Sequence, residues 1–502
     1  MNNFRKSKNP SNGKNYNIPI KLDDKKNISR FHEDNKNKKI VVVQGLGFVG
    51  SVMSLVCANS ENEDYAVIGI DLPTEESYWK ICSINEGIFP VSSSDQKIDQ
   101  YFQNTIKNKN FYATYDSYAY SIADVIIVDI NLDVQKEFDH IQSNKIVDFS
   151  VDLNGFKNAI KSIGMECKQD ALILIETTVP PGSTKIAKQI IDECLEKRSL
   201  KKDQIKIGHS YERVMPGPNY IDSIKNFYRV YSGMNEKSAD CIEEFLKTII
   251  SIEEYPLTRL KNTNSTEMAK VLENSFRAMN ISFIVEWSRF AEHAGVDLFE
   301  VINAIRMRPT HKNIMLPGLG VGGYCLTKDP LLASWSMKEI IRGKDPMKMS
   351  EMAVSKNDNM PFYAFNIFKS FFETKPLNNI NVYMLGVSYA PDVGDTRYSP
   401  VELLSKLLIE NKCKLTFHDP FISFWNELNT IVNKTFIDLK GPQDAIIFST
   451  GHSYYKNNCE LIRIIMDLES LLIFDTVGVL SEDEITELSS KHTVKVLGRG
   501  DL

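Results

Sequence analysis

A chain of 502 residues is too long for one hydrophobic core, so two or three domains are expected. A formal net charge of −6 leaves no electrostatic footprint for nucleic acid or an anionic membrane, and any phosphate must be held by local groups. No apolar run reaches the roughly 18 residues of a membrane span and no signal-peptide core opens the chain, so a cytoplasmic protein is expected. Eight cysteines, at positions 57, 82, 167, 194, 241, 325, 413 and 459, are scattered without a C-x-x-C pair or companion histidines. That pattern argues against a metal site and against a disulfide framework, and leaves reduced thiols.

Residues 1–38 are rich in Asn, Lys, Asp and Ser and poor in apolar residues, which predicts a mobile tail. Order is expected from Ile40-Val-Val-Val43, a β-branched run of the kind buried in parallel sheets. It feeds Gly45-Leu-Gly-Phe-Val-Gly50 and a helix over Ser51–Asn59, and a second strand, Val67–Ile70, ends in Asp71. Asp71 lies 21 residues past Gly50, where a carboxylate can bond an adenosine ribose and would repel a 2′-phosphate. The cofactor read from this pattern is NAD rather than NADP.

Further strands over 123–130, 171–175 and 205–208, with helices over 153–163 and 184–197, extend a doubly wound α/β sheet, an NAD-binding domain spanning 39–250. Two strands leave the sheet through Glu176-Thr-Thr-Val-Pro-Pro-Gly182 and Tyr211-Glu-Arg-Val-Met-Pro-Gly217, which puts Thr177, Thr178 and Glu212 at its ligand-binding edge. A central helical domain over 251–374 follows. Its long helix, from Asn264 to about Ala294, spans roughly 45 Å, is capped by Asn264 with Glu267 and is stopped by Gly295. Lys270 and Asn274, four apart, share one face of it.

Beyond a helix over 298–306 comes Pro317-Gly-Leu-Gly-Val-Gly-Gly-Tyr-Cys-Leu-Thr-Lys-Asp329. Its glycines allow positive φ and an anion-binding nest, and Cys325 stands beside that nest with Lys328 and Asp329 close enough to tune a thiolate. Helices over 330–341 and 352–372 close this section. A second alternating unit over 375–502, with strands at 380–385, 414–417, 445–448, 471–474 and 494–497, lacks a G-x-G-x-x-G and is expected to hold a different ligand. Oxidation of an alcohol to a ketone has no use for a cysteine. One becomes useful when a primary alcohol passes through the aldehyde to the acid by way of a thioester.

From Ile40 to the C-terminal domain the chain resembles the UDP-glucose/GDP-mannose dehydrogenases. The shared motifs, in order, are Gly45-Leu-Gly-Phe-Val-Gly50, Thr177-Thr-Val-Pro-Pro-Gly182, Lys270 to Asn274, Gly322-Gly-Tyr-Cys-Leu-Thr-Lys-Asp329 and Asp395-Thr-Arg-Tyr-Ser-Pro400. The resemblance implies two Rossmann-like domains joined by a helical one, and four-electron oxidation of a nucleotide sugar at C6. It implies Cys325 as nucleophile, Lys270 and Asn274 on the sugar oxygens, Asp329 in proton transfer and Glu212 at the substrate. Cofactor contacts fall on Gly45, Gly47, Phe48, Val49, Gly50, Asp71, Thr178, Lys328 and Arg397, and the substrate pyrophosphate on Gly318, Gly320, Gly322 and Gly323. A homodimer through the long helix is also implied. Within the family, Glu212-Arg-Val-Met-Pro-Gly217 and the Pro-Gly-x-Gly form of the loop resemble the branch acting on UDP-N-acetylglucosamine or UDP-N-acetylmannosamine.

Three positions depart from the family pattern. Asp129-Ile-Asn-Leu-Asp133 replaces V-P-T-P, Ala390 replaces a lysine, and Tyr324 stands where the branch often has histidine. The alternatives are a two-electron hydroxyacid or 6-phosphogluconate-type dehydrogenase, a GDP-mannose or UDP-glucose substrate, and a nucleotide-sugar binding protein without activity.

Overall fold

Short β-branched strands buried on both faces, with helices packed over them, give the chain its α/β architecture. The computed structural model describes residues 5–91, 93–139, 145–214, 216–373 and 376–502. The expected boundary at 374/375 lies outside them. The chain divides into two units: Met1–Val134 with Val151–Val271 and Trp335–Lys344, and Gln135–Ser150 with Leu272–Ser334 and Asp345–Leu502.

The first unit holds an eight-stranded sheet in the order Thr258–Arg259, Val230–Gly233, Lys206–His209, Leu172–Ile175, Val125–Val128, Lys39–Gln44, Tyr65–Ile70, Phe111–Thr114. Neighbours are parallel except Lys206–His209 against Val230–Gly233. Strand order reverses at Lys39–Gln44, the position where open α/β sheets bind their ligands. Val41 and Val43 point into one apolar layer and Ile40 and Val42 into the other, as the two-residue strand period requires.

The second unit holds a five-stranded parallel sheet in the order Lys414–His418, Asn381–Leu385, Ala445–Phe448, Leu472–Asp475, Thr493–Val496. Its core gathers Val382, Met384, Phe474 and Trp425 with Val285 and Met360. Among the described residues no helix is long and apolar enough to cross a membrane.

Three expectations are corrected. Residues 5–38 form a hairpin of Lys6–Lys8 and Asn15–Asn17 and a helix, Lys25–Asp34. Tyr16, Ile18 and Ile28 are buried there, and polar side chains such as Ser7, Asn9 and Asp24 are hydrogen-bonded to the rest of the unit, so local composition underestimates their order. The helix expected over 352–372 is two, Lys348–Asp358 and Met360–Ser370. Pro361 has no N–H for the Asn357 carbonyl and its ring would clash there, so the first helix stops. The long helix runs Thr263–Ala294 and ends at Gly295 with φ +70°, but its start is capped by Asn262, whose side chain accepts from the Ser265 N–H at 3.0 Å.

Glu267 serves a different helix. Its carboxylate, fully buried, accepts from Gly182 N at 2.6 Å, Thr184 N at 2.7 Å and Thr184 Oγ1 at 2.6 Å. Those donors open the helix Ser183–Lys197, whose own cap residue Gly182 has no side chain to offer. Burial pushes the Glu267 carboxyl up to about 7 from 4.5, against the lowering by its three donors. A carboxyl raised in this way contributes stability in full below its unfolded pKa and loses it as pH rises through the folded value. Replacing Glu267 by Ala is expected to lower stability by about 2–4 kcal/mol at the acid end and to flatten the decline between pH 4.5 and 7. Urea midpoints across that range check it, and an unaltered slope would assign the titration to another group.

Candidate functional site

In the first unit the strand Lys39–Gln44 delivers Gly45 with φ +105°, where an added Cβ would sit 1.9 Å from the Asp129 carbonyl oxygen. A Cβ on Gly50 would lie 2.0 Å from the Gly45 oxygen, so the first and third glycines are fixed by protein packing. Gly47 is different. Nothing lies within 4 Å of its Cβ position, and it caps the helix Phe48–Ala58, which starts earlier than expected and takes in Phe48, Val49 and Gly50. Open space over Gly47 at a helix N-terminus fits a pyrophosphate.

Asp71 completes this corner. Its carboxylate accepts from Leu46 N at 3.3 Å and Leu72 N at 2.7 Å, and Lys80 Nζ lies 3.0 Å from Oδ2. Lys80 escaped the sequence reading because it follows Asp71 by nine residues, on a separate helix, Tyr78–Asn85. Thr177 Oγ1 accepts from Ile130 N and donates to the Val128 carbonyl, a structural use, whereas Thr178 is half-exposed.

Behind these turns lies a group of charges. Lys270 Nζ donates to the Glu212 carbonyl at 2.8 Å, lies 3.4 Å from Glu212 Oε1, and stands 5.5 Å from the Tyr211 ring. Glu176 pairs with Arg229, both buried, and burial outweighs that partner to push the Glu176 carboxyl up to about 7. Burial, with Glu176 and Glu212 nearby, raises Asp129 well above the usual carboxylate range, against the lowering by Arg229 and Lys270. His209 is held neutral, its pKa depressed to about 3 by burial. The first departure noted in the sequence therefore places an acid beside the glycine turn, where an added Gly50 Cβ would be 3.0 Å from Asp129 Oδ2.

The second unit holds Cys325. Of the eight free cysteines only Cys325 and Cys459 are exposed, while burial pushes the Cys167 and Cys413 thiols up to about 11. The Cys325 carbonyl accepts from Lys328 N at 3.2 Å and from Asp329 N at 2.9 Å, at the start of the helix Asp329–Glu339. Asp329, fully buried, takes Asn274 Nδ2 at 2.6 Å on Oδ2 and Lys328 Nζ at 2.6 Å on Oδ1. The Lys328 ammonium also lies 4.6 Å from the Tyr324 ring. With both oxygens occupied, Asp329 orients Asn274 and ties the cysteine turn to the helix.

The glycines of this loop divide by role. Positive φ occurs at Gly320 and Gly323 but not at Gly318 or Gly322. A Cβ at Gly320 would meet the Asn357 oxygen at 2.6 Å, the carbonyl to which Pro361 has no N–H to donate. At Gly322 it would meet Tyr389 and Pro400, and at Gly323 the Tyr389 ring at 2.7 Å. Only Gly318 faces open space. Arg397 forms a two-pronged pair with Asp395 at 3.0 and 2.7 Å.

A glycine turn opening a helix, with a carboxylate at the end of the next strand, and a second parallel-sheet unit with an exposed cysteine after a glycine loop fit an NAD-dependent oxidoreductase of Rossmann type. The chain belongs to the UDP-glucose/GDP-mannose dehydrogenase family, whose NAD binding domain matches residues 38–250, central domain 264–359 and UDP binding domain 383–482. It is an NAD-dependent nucleotide-sugar dehydrogenase. The chain is 28% identical to the UDP-N-acetyl-D-mannosamine dehydrogenase of Methanococcus vannielii over 93% of its own length and 99% of that protein. It is 26% identical to the enzyme of that name from Pyrococcus horikoshii, over 92% of the chain and all of the relative. Solved structures share the fold. The Pyrococcus horikoshii UDP-D-ManNAc dehydrogenase superposes with a TM-score of 0.76 at 23% identity, covering 92% of this chain and 100% of that one. An NDP-N-acetyl-D-galactosaminuronic acid dehydrogenase from Methanosarcina mazei gives 0.73 at 23%, covering 94% and 98%.

The two kinds of glycine separate by experiment. Gly323→Ala is expected to lower stability by about 1–3 kcal/mol through backbone strain and overpacking on Tyr389, while Gly318→Ala leaves the melting temperature unchanged. Equal effects in thermal melts would refute the division.

Proposed function

We propose that this enzyme oxidises the C6 hydroxyl of a UDP-N-acetylhexosamine, UDP-N-acetyl-D-mannosamine foremost, to the uronic acid, with Cys325 as covalent nucleophile. The observation that carries this is an exposed thiol beside the buried Asn274–Asp329–Lys328 group, which a two-electron dehydrogenase would not need. The choice of sugar is supported by the names of the full-length relatives and by the Glu212–Gly217 and Pro317–Gly320 motifs. A GDP-mannose or UDP-glucose substrate is the alternative.

Gly45, Gly47, Phe48, Val49, Gly50 and Asp71 would hold NAD, with Thr178, Lys328 and Arg397 as further contacts. When bound, NAD supplies the hydride acceptor for each of two oxidations. Lys270, steadied by Glu212 and Tyr211, would face the oxygen that is alkoxide in one step and hemiacetal oxygen in the next. Asn274, oriented by Asp329, would donate a hydrogen bond to a sugar oxygen. After the first oxidation the Cys325 sulfur adds to the aldehyde carbon, and the thiol proton goes to its oxygen. Loss of a hydride and of that proton leaves a thioester. Water then adds to the carbonyl, the C–S bond breaks, and the sulfur recovers a proton as the acid departs. Glu212 is the acid–base candidate for these transfers. Gly318, Gly320, Gly322 and Gly323 would receive the pyrophosphate, Gly318 by its open side and the others by shaping the loop.

We place this chemistry in a cytoplasmic homodimer. On the long helix Leu272, Phe276, Phe283, Trp287 and Phe290 are 62, 59, 55, 44 and 65% exposed at helical spacing, an apolar stripe that a second copy would cover.

Four-electron oxidation predicts about two NADH per UDP-sugar consumed, and a ratio of one would reject the thioester route. Cys325→Ser is expected to stall after the aldehyde or at a stable ester, with turnover reduced by about 10³-fold or more. Accumulated sugar covalently bound to that variant, seen by intact-protein mass spectrometry, checks it.

A further inference from the structure

The family match begins at residue 38, yet residues before it form a hairpin and a helix, and the hairpin, Lys6–Lys8 with Asn15–Asn17, bonds to the helix Tyr78–Asn85. The cap residue of that helix, Ser77, makes no side-chain cap bond. Ser7, from the first hairpin strand and fully buried, takes over: its Oγ accepts from Trp79 N at 2.9 Å and donates to the Glu75 carbonyl at 2.6 Å. Asn9 Nδ2, also buried, donates to Ser83 Oγ at 3.1 Å in the middle of the helix. At its far end Glu86 accepts from Tyr16 at 2.8 Å and pairs with Lys14 at 2.7 Å. The extension therefore holds this eight-residue helix at its start, its middle and its end. A helix that short has little stability of its own.

The third residue of the clamped helix is Lys80, whose ammonium lies 3.0 Å from Asp71. We propose that the N-terminal extension is a clamp on the adenosine end of the cofactor site, which sets NAD affinity by holding Lys80 against Asp71. Ser7 and Asn9 are positioning residues: they touch no reactant and act through the helix. Lys80 keeps the Asp71 carboxylate partly neutralised and fixed in direction, so that it meets the ribose hydroxyls without reorganising and does not repel the neighbouring pyrophosphate. The inference rests on the assignment of Asp71 to the adenosine ribose.

The test compares the full chain with Ser7→Ala, with deletion of residues 1–20, with Lys80→Met and with Asp71→Ala. Dissociation constants are measured by calorimetry for NAD, ADP-ribose and UDP, and backbone hydrogen exchange is followed over residues 72–88. Ser7→Ala is expected to weaken NAD and ADP-ribose about fivefold, the weight of one helix cap, to leave UDP unchanged, and to speed exchange in that segment. Combined with Lys80→Met it should add nothing, since one acts through the other. Faster exchange with ADP-ribose affinity within twofold of the parent would overturn the clamp, as would an additive double variant. If Asp71→Ala binds ADP-ribose normally, the ribose assignment fails and takes the clamp with it. If Asp71→Ala weakens binding and Ser7→Ala does not, the clamp alone fails. Should the deletion not fold, the single substitution decides.

Discussion

Buried polar groups leave a protein little freedom, because each must find its partner in one geometry or cost several kcal/mol. In this enzyme three of them, Glu267, Lys270 and Asn274, stand on successive turns of the helix Thr263–Ala294. Glu267 fastens the helix Ser183–Lys197 by its first N–H groups, Lys270 fastens the loop carrying Glu212, and Asn274 fastens the carboxylate that follows Cys325 by four residues. The first two bonds lie within one unit and the third within the other. Because a helix sets its side chains at fixed rise and rotation, the spacing of Glu267 and Lys270 fixes which two loops of the first unit can be held.

The electrostatics of the first unit follow from the same constraint. Asp129, Glu176 and Glu212 bring three acids near Arg229 and Lys270, and the carboxyls of Asp129 and Glu176 are raised, chiefly by loss of solvation. Glu176, pushed up to about 7, can gain or lose a proton close to neutral pH, which makes the charge of the group adjustable. Asp129 is the chain's own addition to this group, in the segment where the family pattern carries V-P-T-P. A small uncharged residue there would leave Glu176 and Glu212 with fewer competitors for the two cations. The departure therefore alters the electrical setting of Lys270 without touching the lysine itself.

Much of the fold was legible because its signals are local. The run Ile40–Val43, the glycines that follow and Asp71 lie within one βαβ unit, and each owes its identity to neighbours nearby in sequence. Gly295 ends the long helix by its own conformation. What escaped is held by distant partners. Glu267 reads as a local cap until its contact with residues 182–184 is known. Pro361 marks a helix break that the apolar spacing around it conceals. Residues 5–38 have the composition of a tail because their order comes from paired polar groups such as Ser7, Asn9 and Asp24 and from a few buried apolar side chains, Tyr16, Ile18 and Ile28.

The loop leading to Cys325 shows why a motif and its reason can part company. Four glycines before a cysteine suggest a backbone opened for a ligand, yet three of them are required by Asn357, Tyr389 and Pro400. Glycine there is a packing condition: it lets the loop lie flat against the helix break at Pro361 and under the Tyr389 ring. The thiol is exposed because its loop is pinned from below, and a pinned loop presents Cys325 in one orientation while its main chain stays tied to the N–H groups of Lys328 and Asp329. Gly318, the one position with space beside it, is where a ligand backbone can approach. The crowding lies on the side of the loop that meets Asn357, Tyr389 and Pro400, and the glycines there give the protein itself its room.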